Sequence, residues 1–197
     1  MQTKLQASSN AGNKIIYRTA DVGNYEAIDA AVASAVEEFG KIDILVNNVR
    51  STLLITHPSN PSKLTNINQA GLALDAPAPF HALPISSIKT MNSTNISGYM
   101  YTTHSVLNRA MKPGSARGTI LNITSTTALE APPFPGEAVY HANKACQEGF
   151  TNSLRNELVG TDVRVLALRP GVVAGHFHKL RVGGDDGAYE GFMEGFE

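Results

Sequence analysis

The sequence has little cysteine and no excess of either charge, and both features exclude classes of protein. Cys146 is the single cysteine among 197 residues, so no disulfide can form within the chain. The 16 Lys and Arg residues nearly balance the 17 Asp and Glu residues, which leaves a net charge of −1. This balance provides no basic surface for nucleic acid or for an anionic membrane. We therefore expect neither as a partner.

Long apolar runs are also absent. Residues 1–10 are polar and contain no apolar core of a signal peptide. No stretch approaches the roughly 18 apolar residues of a membrane-spanning helix. Hydrophobic residues make up 42% of the chain, which is enough for one α/β domain with a sizeable core. We expect a cytoplasmic protein with one domain over residues 1–197.

Four short apolar runs predict β-strands, over residues 14–20, 42–46, 118–123 and 163–168. The last three are nearly continuous in apolar residues, as in strands that are covered on both faces. Each run is bounded by residues that favour turns. The chain therefore contains several short, buried strands.

Helical patterns separate these strands. A pattern that begins at Asn24 or Val22 predicts a helix that Gly40 ends. Two longer patterns predict helices over residues 85–111 and 137–158. Strands that alternate with helices of this length indicate a doubly wound parallel sheet, the Rossmann-like α/β architecture.

The segment from Val49 to Gln69 fits neither pattern. It mixes Ser, Thr, Asn and Pro without a clear period. An irregular stretch of this length is uncommon inside a compact domain. We predict that residues 49–69 form an irregular segment that interrupts the domain.

Tyr140 and Lys144 lie one turn apart on the same face of a predicted helix. A neighbouring ammonium favours the phenolate and lowers the pKa of a tyrosine. A phenol adjusted in this way can exchange a proton with an alcohol or a carbonyl oxygen near neutral pH. The alternative is an ordinary pair of side chains on a helix surface.

Other polar residues follow the predicted strands, at the edge where open α/β sheets bind ligands. Ser125 follows the strand over residues 118–123, and its hydroxyl can hold a substrate oxygen, although turn serines are common. Asn95 lies inside a predicted helix, where asparagine is mildly disfavoured, so it is either a surface residue or a functional one. Asn47 and the Arg169–Gly171 segment end two further strands, where a cofactor would lie.

Several short motifs occur in one order along the chain and together resemble the short-chain dehydrogenases/reductases. In texture the chain is most similar to the NADP-dependent 3-hydroxy acid dehydrogenases of this family, which oxidise serine and allo-threonine. The motifs that carry the resemblance are ADV at Ala20–Val22, DILVNN at Asp43–Asn48, NISG at Asn95–Gly98, ILNITS at Ile120–Ser125, YHANK at Tyr140–Lys144 and RPGVV at Arg169–Val173.

The resemblance implies an oxidoreductase that interconverts an alcohol and a carbonyl with NADP, or alternatively NAD. It implies a small 3-hydroxy acid as substrate and a homo-oligomer as the complete enzyme. Tyr140 would be the general acid/base, and Lys144 would lower its pKa and bind the nicotinamide ribose. Ser125 would hold the reacting oxygen, and Asn95 would hold a water that continues a proton relay from Lys144.

The resemblance also implies a set of cofactor contacts, which includes Tyr140 and Lys144. Asp21 would accept a hydrogen bond from the adenine amino group, with Val22 beside it, and Asn47 would line the adenosine. The residues expected to pass near the nicotinamide are Pro170, Gly171 and Val173. No metal site is expected, because His176 and His178 have no third ligand placed near them.

The sequence departs from the family in what it lacks. No glycine-rich turn that would hold the cofactor's pyrophosphate occurs in it. We therefore expect an incomplete Rossmann-like domain without the family's first two strands and its last strand. The family's strand order, 3-2-1-4-5-6-7, would then leave residues 14–20 without a neighbouring strand and residues 42–46 as an exposed, aggregation-prone edge.

Two smaller departures concern the site. Gly175 stands where the family usually has threonine, and the spacing from Ser125 to Tyr140 is slightly longer than the family norm. The alternative function is a catalytically inactive fragment that binds no cofactor. An epimerase or dehydratase of the related extended family is less favoured, because few residues follow Gly171 to build its substrate domain.

The segment over residues 49–69 has a specific explanation. Its deletion joins Asn47 and Asn48 to Ala70 and Gly71, which restores the family's NNAG motif. Val49 and Gln69 can be encoded by codons that form splice sites. We hypothesise a retained intron that is translated in frame, and any codon at Gln69 other than CAG would exclude it. The alternative is a genuine lineage-specific loop.

Overall fold

A computed structural model describes residues 15–48, 53–57, 60–67, 73, 78–131, 136–172 and 185–194. Its strands are β1 (Ile15–Arg18), β2 (Ile44–Asn48), β3 (Leu53–His57), β4 (Asn60–Ile67), β5 (Gly118–Ile123) and β6 (Val163–Leu168). Its α-helices are α1 (Tyr25–Phe39), α2 (Ile85–Asn92), α3 (Gly98–Arg109), α4 (Ala138–Glu157) and α5 (Asp186–Glu194). A π-helical turn (Ser93–Ser97) joins α2 to α3, and short 3₁₀ turns cover Phe80–Ala82 and Thr126–Ala128.

The predicted strands and helices are confirmed. Strands β5 and β6 have the predicted bounds, and the predicted helix over residues 85–111 comprises α2, the π-helical turn and α3. Asn24 caps α1 by accepting a hydrogen bond from the Ala27 backbone N–H at 2.9 Å. Gly40 ends this helix at a φ of 80°, a conformation that favours glycine.

The described strands form one six-stranded sheet in the order β1-β4-β3-β2-β5-β6. Strands β2, β5 and β6 are parallel neighbours, as predicted. Strand β4 is parallel to β1, whereas β3 is antiparallel to both β4 and β2. Strands β1, β2, β5 and β6 therefore point in one direction, and their carboxyl ends meet at one edge of the sheet.

The segment over residues 49–69 is not irregular in its described part, where it forms β3 and β4. Strand β4 pairs with β1 and strand β3 pairs with β2. The predictions that β1 lacks a neighbour and that β2 is an edge are therefore wrong. Two vacant strand positions would leave backbone N–H and C=O groups unpaired, and the hairpin satisfies them. The genetic origin of the segment stays a prediction.

The apolar core lies between the sheet and the helices. Its buried members come from α1, the strands and the ends of α3 and α4, and include Ile28, Val32, Leu45, Val106, Ile120, Leu154 and Val165. Coverage of β6 is one-sided, because Leu166 and Leu168 remain 49% and 53% exposed. The prediction that β6 is covered on both faces is therefore wrong.

Candidate active site

The ends of three parallel strands lie side by side. Asn48, Ile123 and Leu168 are paired across β2, β5 and β6. Pairing continues beyond the strands, because the Thr126 N–H donates to the Pro170 carbonyl at 3.1 Å. The residues that follow β5 and β6 therefore share one edge, as the sequence predicted.

Ser125 lies in the turn directly after β5. Its backbone is extended, and its Oγ accepts a hydrogen bond from the Thr127 backbone N–H at 3.2 Å. The Oγ atom is also 2.9 Å from the Thr127 hydroxyl. His141 in the first turn of α4 bonds the Thr127 carbonyl through its ring. The Ser125 turn is thus fixed against the start of the helix that carries Tyr140.

Tyr140 and Lys144 share a face of α4, as predicted. The Lys144 Nζ lies 5.7 Å from the centroid of the half-buried Tyr140 ring. The same Nζ donates to the carbonyl of Ile123, the last residue of β5, at 3.3 Å. Lys144 therefore ties α4 to the strand end that leads to Ser125.

Lys144 is almost fully buried, with 3% of its surface exposed. Removal from water penalises the ammonium more than the neutral amine. Burial therefore lowers the pKa of Lys144 from its usual 10.5 to about 7. An amine with this pKa changes its protonation state readily at neutral pH, which suits a group that exchanges protons.

Asn95 lies in the π-helical turn, which is the kind of irregularity often found at functional sites. Its side chain is buried and donates to the Asn143 Oδ1 at 3.0 Å, and Asn143 in turn donates to Asn92 at 2.8 Å. Its backbone carbonyl accepts from the Gln147 Nε2 at 2.7 Å. Helix α4 therefore holds Asn95 by both its side chain and its backbone.

Sequence reasoning missed Asn143 and Gln147. The Lys144 Nζ donates to the Gln147 Oε1 at 3.2 Å, so Gln147 connects Lys144 with Asn95. A signal was present, since Gln147 lies three residues after Lys144 and therefore on the same face of the helix. The period alone could not show that this face is polar and buried.

Asp21 and Val22 follow β1 at the same edge of the sheet. The exposed Asp21 carboxylate accepts from the Gly23 N–H at 2.9 Å, and Val22 is buried. Gly98 at the start of α3 packs so closely on Val22 that an added Cβ would lie 2.8 Å from the Val22 Cβ. The ADV and NISG motifs therefore contact each other.

Asn47 lies in the interior, with no exposed surface. Its Nδ2 donates to the Thr103 Oγ1 at 2.8 Å and to the Asn122 Oδ1 at 2.9 Å. Asn122 donates in turn to the Thr151 hydroxyl at 2.9 Å. Asn47 thus joins β2 to α3 and β5, and the structure does not bring it to an open surface with the other site residues.

Arg169 holds the turn after β6. Both ends of its guanidinium bond the buried Glu148 carboxylate on α4, and this pairing lowers the pKa of Glu148. The neighbouring Pro170 is half-buried and Gly171 is exposed at the sheet edge. The other residues that the sequence analysis considered in this region, Val173, Gly175, His176 and His178, lie outside the described residues.

Three further observations on the described residues concern other possible functions. A cleft of about 430 Å³ lies at the opposite end of the sheet from Ser125 and is lined by residues 114–117 and 160–162. The cleft is remote from Tyr140, Lys144 and Asn95, and it is open to solvent. The described part of the chain contains no group of three potential metal ligands, and none of its helices is long and apolar enough to cross a membrane.

The sequence of the chain is similar to those of known proteins. A family model described as short chain dehydrogenase matches residues 1–182. The chain belongs to this family. The sulfoacetaldehyde reductase of Chromohalobacter salexigens is 34% identical over 89% of this chain and 59% of its own length. The NADP-dependent 3-hydroxy acid dehydrogenase YdfG of Escherichia coli K12 is 36% identical over 96% of this chain and 66% of its own length.

Solved structures agree as well. The closed form of a serine dehydrogenase complexed with NADP+ matches with a TM-score of 0.73 and 34% identity, and covers 97% of this chain. A NAD+-bound xylitol dehydrogenase matches with a TM-score of 0.63 and 26% identity, and covers 80% of it. These matches confirm the Rossmann-like fold. The chain spans less than two thirds of the length of these relatives and structures.

Proposed function

We propose that this short-chain dehydrogenase interconverts an alcohol and a carbonyl with NADP, and that its substrate is a small 3-hydroxy acid. One observation carries the proposal. The buried Lys144 amine lies beside Tyr140 and donates to the end of β5, two residues before Ser125. This contact brings an amine, a phenol and the turn that carries a hydroxyl to one edge of the sheet.

Each residue has a role in the proposed reaction. Tyr140 gives a proton to the substrate oxygen during reduction and takes it back during oxidation. Ser125 hydrogen-bonds the same oxygen while charge develops on it. Lys144, held in the interior, favours the phenolate when it carries its proton. Asn95 is connected to Lys144 through Gln147 and would hold a water that continues a proton relay from Lys144.

The residues at the sheet edge fit a nicotinamide dinucleotide at both of its ends. The exposed Asp21 carboxylate is an acceptor suited to an adenine amino group, with Val22 beside it. Lys144 and the Pro170–Gly171 segment would hold the nicotinamide end, and we extend this proposal to Val173. The bound nicotinamide would supply or accept the hydride. Asn47 is fully buried, so we propose that it supports this edge from within.

The relatives favour the substrate class. Two of them are a 3-hydroxy acid dehydrogenase and a sulfoacetaldehyde reductase, and one solved structure is a serine dehydrogenase. Each name describes a small molecule with an acidic group close to the reacting carbon. We also propose a cytoplasmic location, and a homo-oligomer formed through the outer face of α4, which exposes the small residues Ala138, Ala142, Ala145 and Gly149.

Replacement of the Tyr140 hydroxyl tests the proposal. NADP-dependent oxidation of serine and allo-threonine would be followed by NADPH absorbance, with sulfoacetaldehyde reduction as a comparison. Tyr140→Phe should lower kcat by about 100-fold or more, because a positioned proton donor contributes this much. Tyr101→Phe, on α3, is the matched control and should retain activity. Equal activity of both variants would exclude the proposed role of Tyr140.

A second candidate function is a member of the family that binds no cofactor and has no catalytic activity. Titration of the purified chain with NADPH, followed by the fluorescence of the nicotinamide, separates the two candidates. Saturable binding supports the enzyme, whereas a linear response supports the inactive member.

A further inference from the structure

The amide of Gln147 fills the space between two groups of the candidate site. Its Oε1 lies 3.2 Å from the Lys144 Nζ, and its Nε2 lies 2.7 Å from the Asn95 carbonyl oxygen. The side chain is 1% exposed, so solvent does not reach it. A buried amide that is hydrogen-bonded through both its oxygen and its nitrogen is held in one position.

The orientation of this amide is fixed by its partners. An ammonium only donates hydrogen bonds and a carbonyl only accepts them. The Gln147 oxygen must therefore face Lys144, and its NH₂ group must face Asn95. The reverse orientation would oppose two donors at Lys144 and two acceptors at Asn95, in an interior where unmade hydrogen bonds are costly.

We propose that Gln147 is a positioning residue, which fixes the Lys144 amine beside Tyr140 by bridging it to the Asn95 carbonyl. The proposal deepens the proposed function and rests on it. Within the described part of the chain, the Lys144 Nζ donates to the Ile123 carbonyl of β5 and to the Gln147 amide oxygen of its own helix. Together they hold the Nζ between the strand end and the π-helical turn.

The chemistry of the Gln147 amide also determines whether a proton can pass between Lys144 and Asn95 through it. An amide passes a dipole from one partner to the next, but it does not pass a proton without changing to a less stable tautomer. Gln147 therefore orients Lys144 and does not relay its proton. The connection from the Asn95 carbonyl to Lys144 through Gln147 consists of two direct hydrogen bonds.

The other groups around Lys144 do not compete with Gln147 for this role. Tyr140 lies one turn before Lys144 on α4, and Glu148 lies one turn after it with its carboxylate paired to Arg169. The contacts from other elements are neutral, namely the Ile123 carbonyl of β5 and, through Gln147, the Asn95 carbonyl. Loss of the Gln147 oxygen therefore removes one of the acceptors that the described residues provide to the Lys144 Nζ.

The test follows the titration of Lys144 itself, which needs neither substrate nor cofactor. The protein is labelled with ¹³C at the lysine ε-carbons, and Lys144→Met assigns the Lys144 signal. Gln147→Met keeps the length of the side chain and removes the acceptor. The titration midpoint should fall by about one pH unit or more, because a hydrogen bond to a charged group contributes about 1.5–3 kcal/mol.

A matched control separates positioning from mere support of the fold. Thr151 is also fully buried, and its hydroxyl donates to the Gln147 backbone carbonyl at 2.7 Å. Thr151→Val should destabilise the protein and leave the Lys144 midpoint unchanged. An unchanged midpoint in Gln147→Met, or an equal fall in both variants, would overturn the proposal.

A measurement on the unmodified chain keeps the test decisive even where Gln147→Met does not fold. The ¹⁵N signal of the Gln147 side chain should titrate with the same midpoint as Lys144, and Lys144→Met should abolish this titration. A Gln147 side-chain signal that does not change as Lys144 titrates would also overturn the proposal. Linked titrations in a chain that shows no NADP-dependent turnover would support the bridge and exclude the proposed function. Turnover without linked titrations would do the reverse.

Discussion

Two helices of this chain bury faces of opposite character. Every buried side chain of α1 is apolar, and these are Ile28, Ala31, Val32, Ala35 and Phe39. Most of those that α4 buries are polar, and the full set is Val139, Asn143, Lys144, Gln147, Glu148, Thr151 and Leu154. Both helices show the same three-to-four-residue period, so the period finds a buried face but does not reveal its purpose.

The two buried faces contribute differently, because the face of α1 stabilises the fold and the face of α4 positions the candidate site. Apolar burial on α1 stabilises the fold at about 25 cal/mol for each Å² removed from water. Polar burial on α4 contributes little net stability, because each group exchanges water for a protein partner. The buried polar groups of α4 instead hold the residues of the candidate site in place.

We expect the largest loss of stability from a substitution on the apolar face of α1. Ile28 is fully buried, and Ile28→Ala should lower the free energy of unfolding by about 2–5 kcal/mol. Urea denaturation measures this loss. The Lys144 titration of the folded protein should not change, because Ile28 has no part in the candidate site. A shifted Lys144 midpoint would show that the two faces are coupled.

A smaller effect comes from the polar face and depends on pH. The pKa of Lys144 is about 7 in the folded chain and 10.5 when exposed. Between these values only the unfolded chain keeps the proton, so stability rises as the pH rises. From pH 7 to pH 9 the unfolding free energy should rise by about 2 kcal/mol relative to Lys144→Met. Urea denaturation measures the unfolding free energy of each protein at both pH values. The same change with pH in both proteins would contradict the lowered pKa.

The smallest expected effect concerns how the two helices begin. Asn24 caps α1 with its side chain, whereas α4 begins at Glu137 without a side-chain cap. Asn24→Ala should therefore cost about 1 kcal/mol, because one helix N–H loses its acceptor. Thermal unfolding measures the change. Glu37→Ala, at an exposed position of the same helix, is the control and should change stability by about 0.5 kcal/mol or less.

The sequence predicts what local patterns determine. The strands over residues 118–123 and 163–168 stand out because apolar runs and turn residues mark their bounds. Tyr140 and Lys144 could be placed on one face because a helix has a fixed period. Ser125 and Pro170 could be placed at one edge because parallel strands end together.

The remaining features depend on contacts between distant parts of the chain. Strands β3 and β4 lie between β1 and β2 in the sheet, and strand preference depends strongly on such surroundings. The Asn47 amide faces the interior because Thr103 and Asn122 provide partners there. Gln147 is important only because the π-helical turn presents the Asn95 carbonyl to it.

The hairpin of β3 and β4 sets the distance between the ends of β1 and β5. It sets β1 four strand positions away from β5, and adjacent strands lie about 4.8 Å apart. The end of β1 that leads to Asp21 is therefore roughly 19 Å from the end of β5 that leads to Ser125. A compact molecule that reacts at Ser125 cannot also touch Asp21. Only an elongated ligand lying along the edge spans both, and the width of the hairpin determines the length it must have.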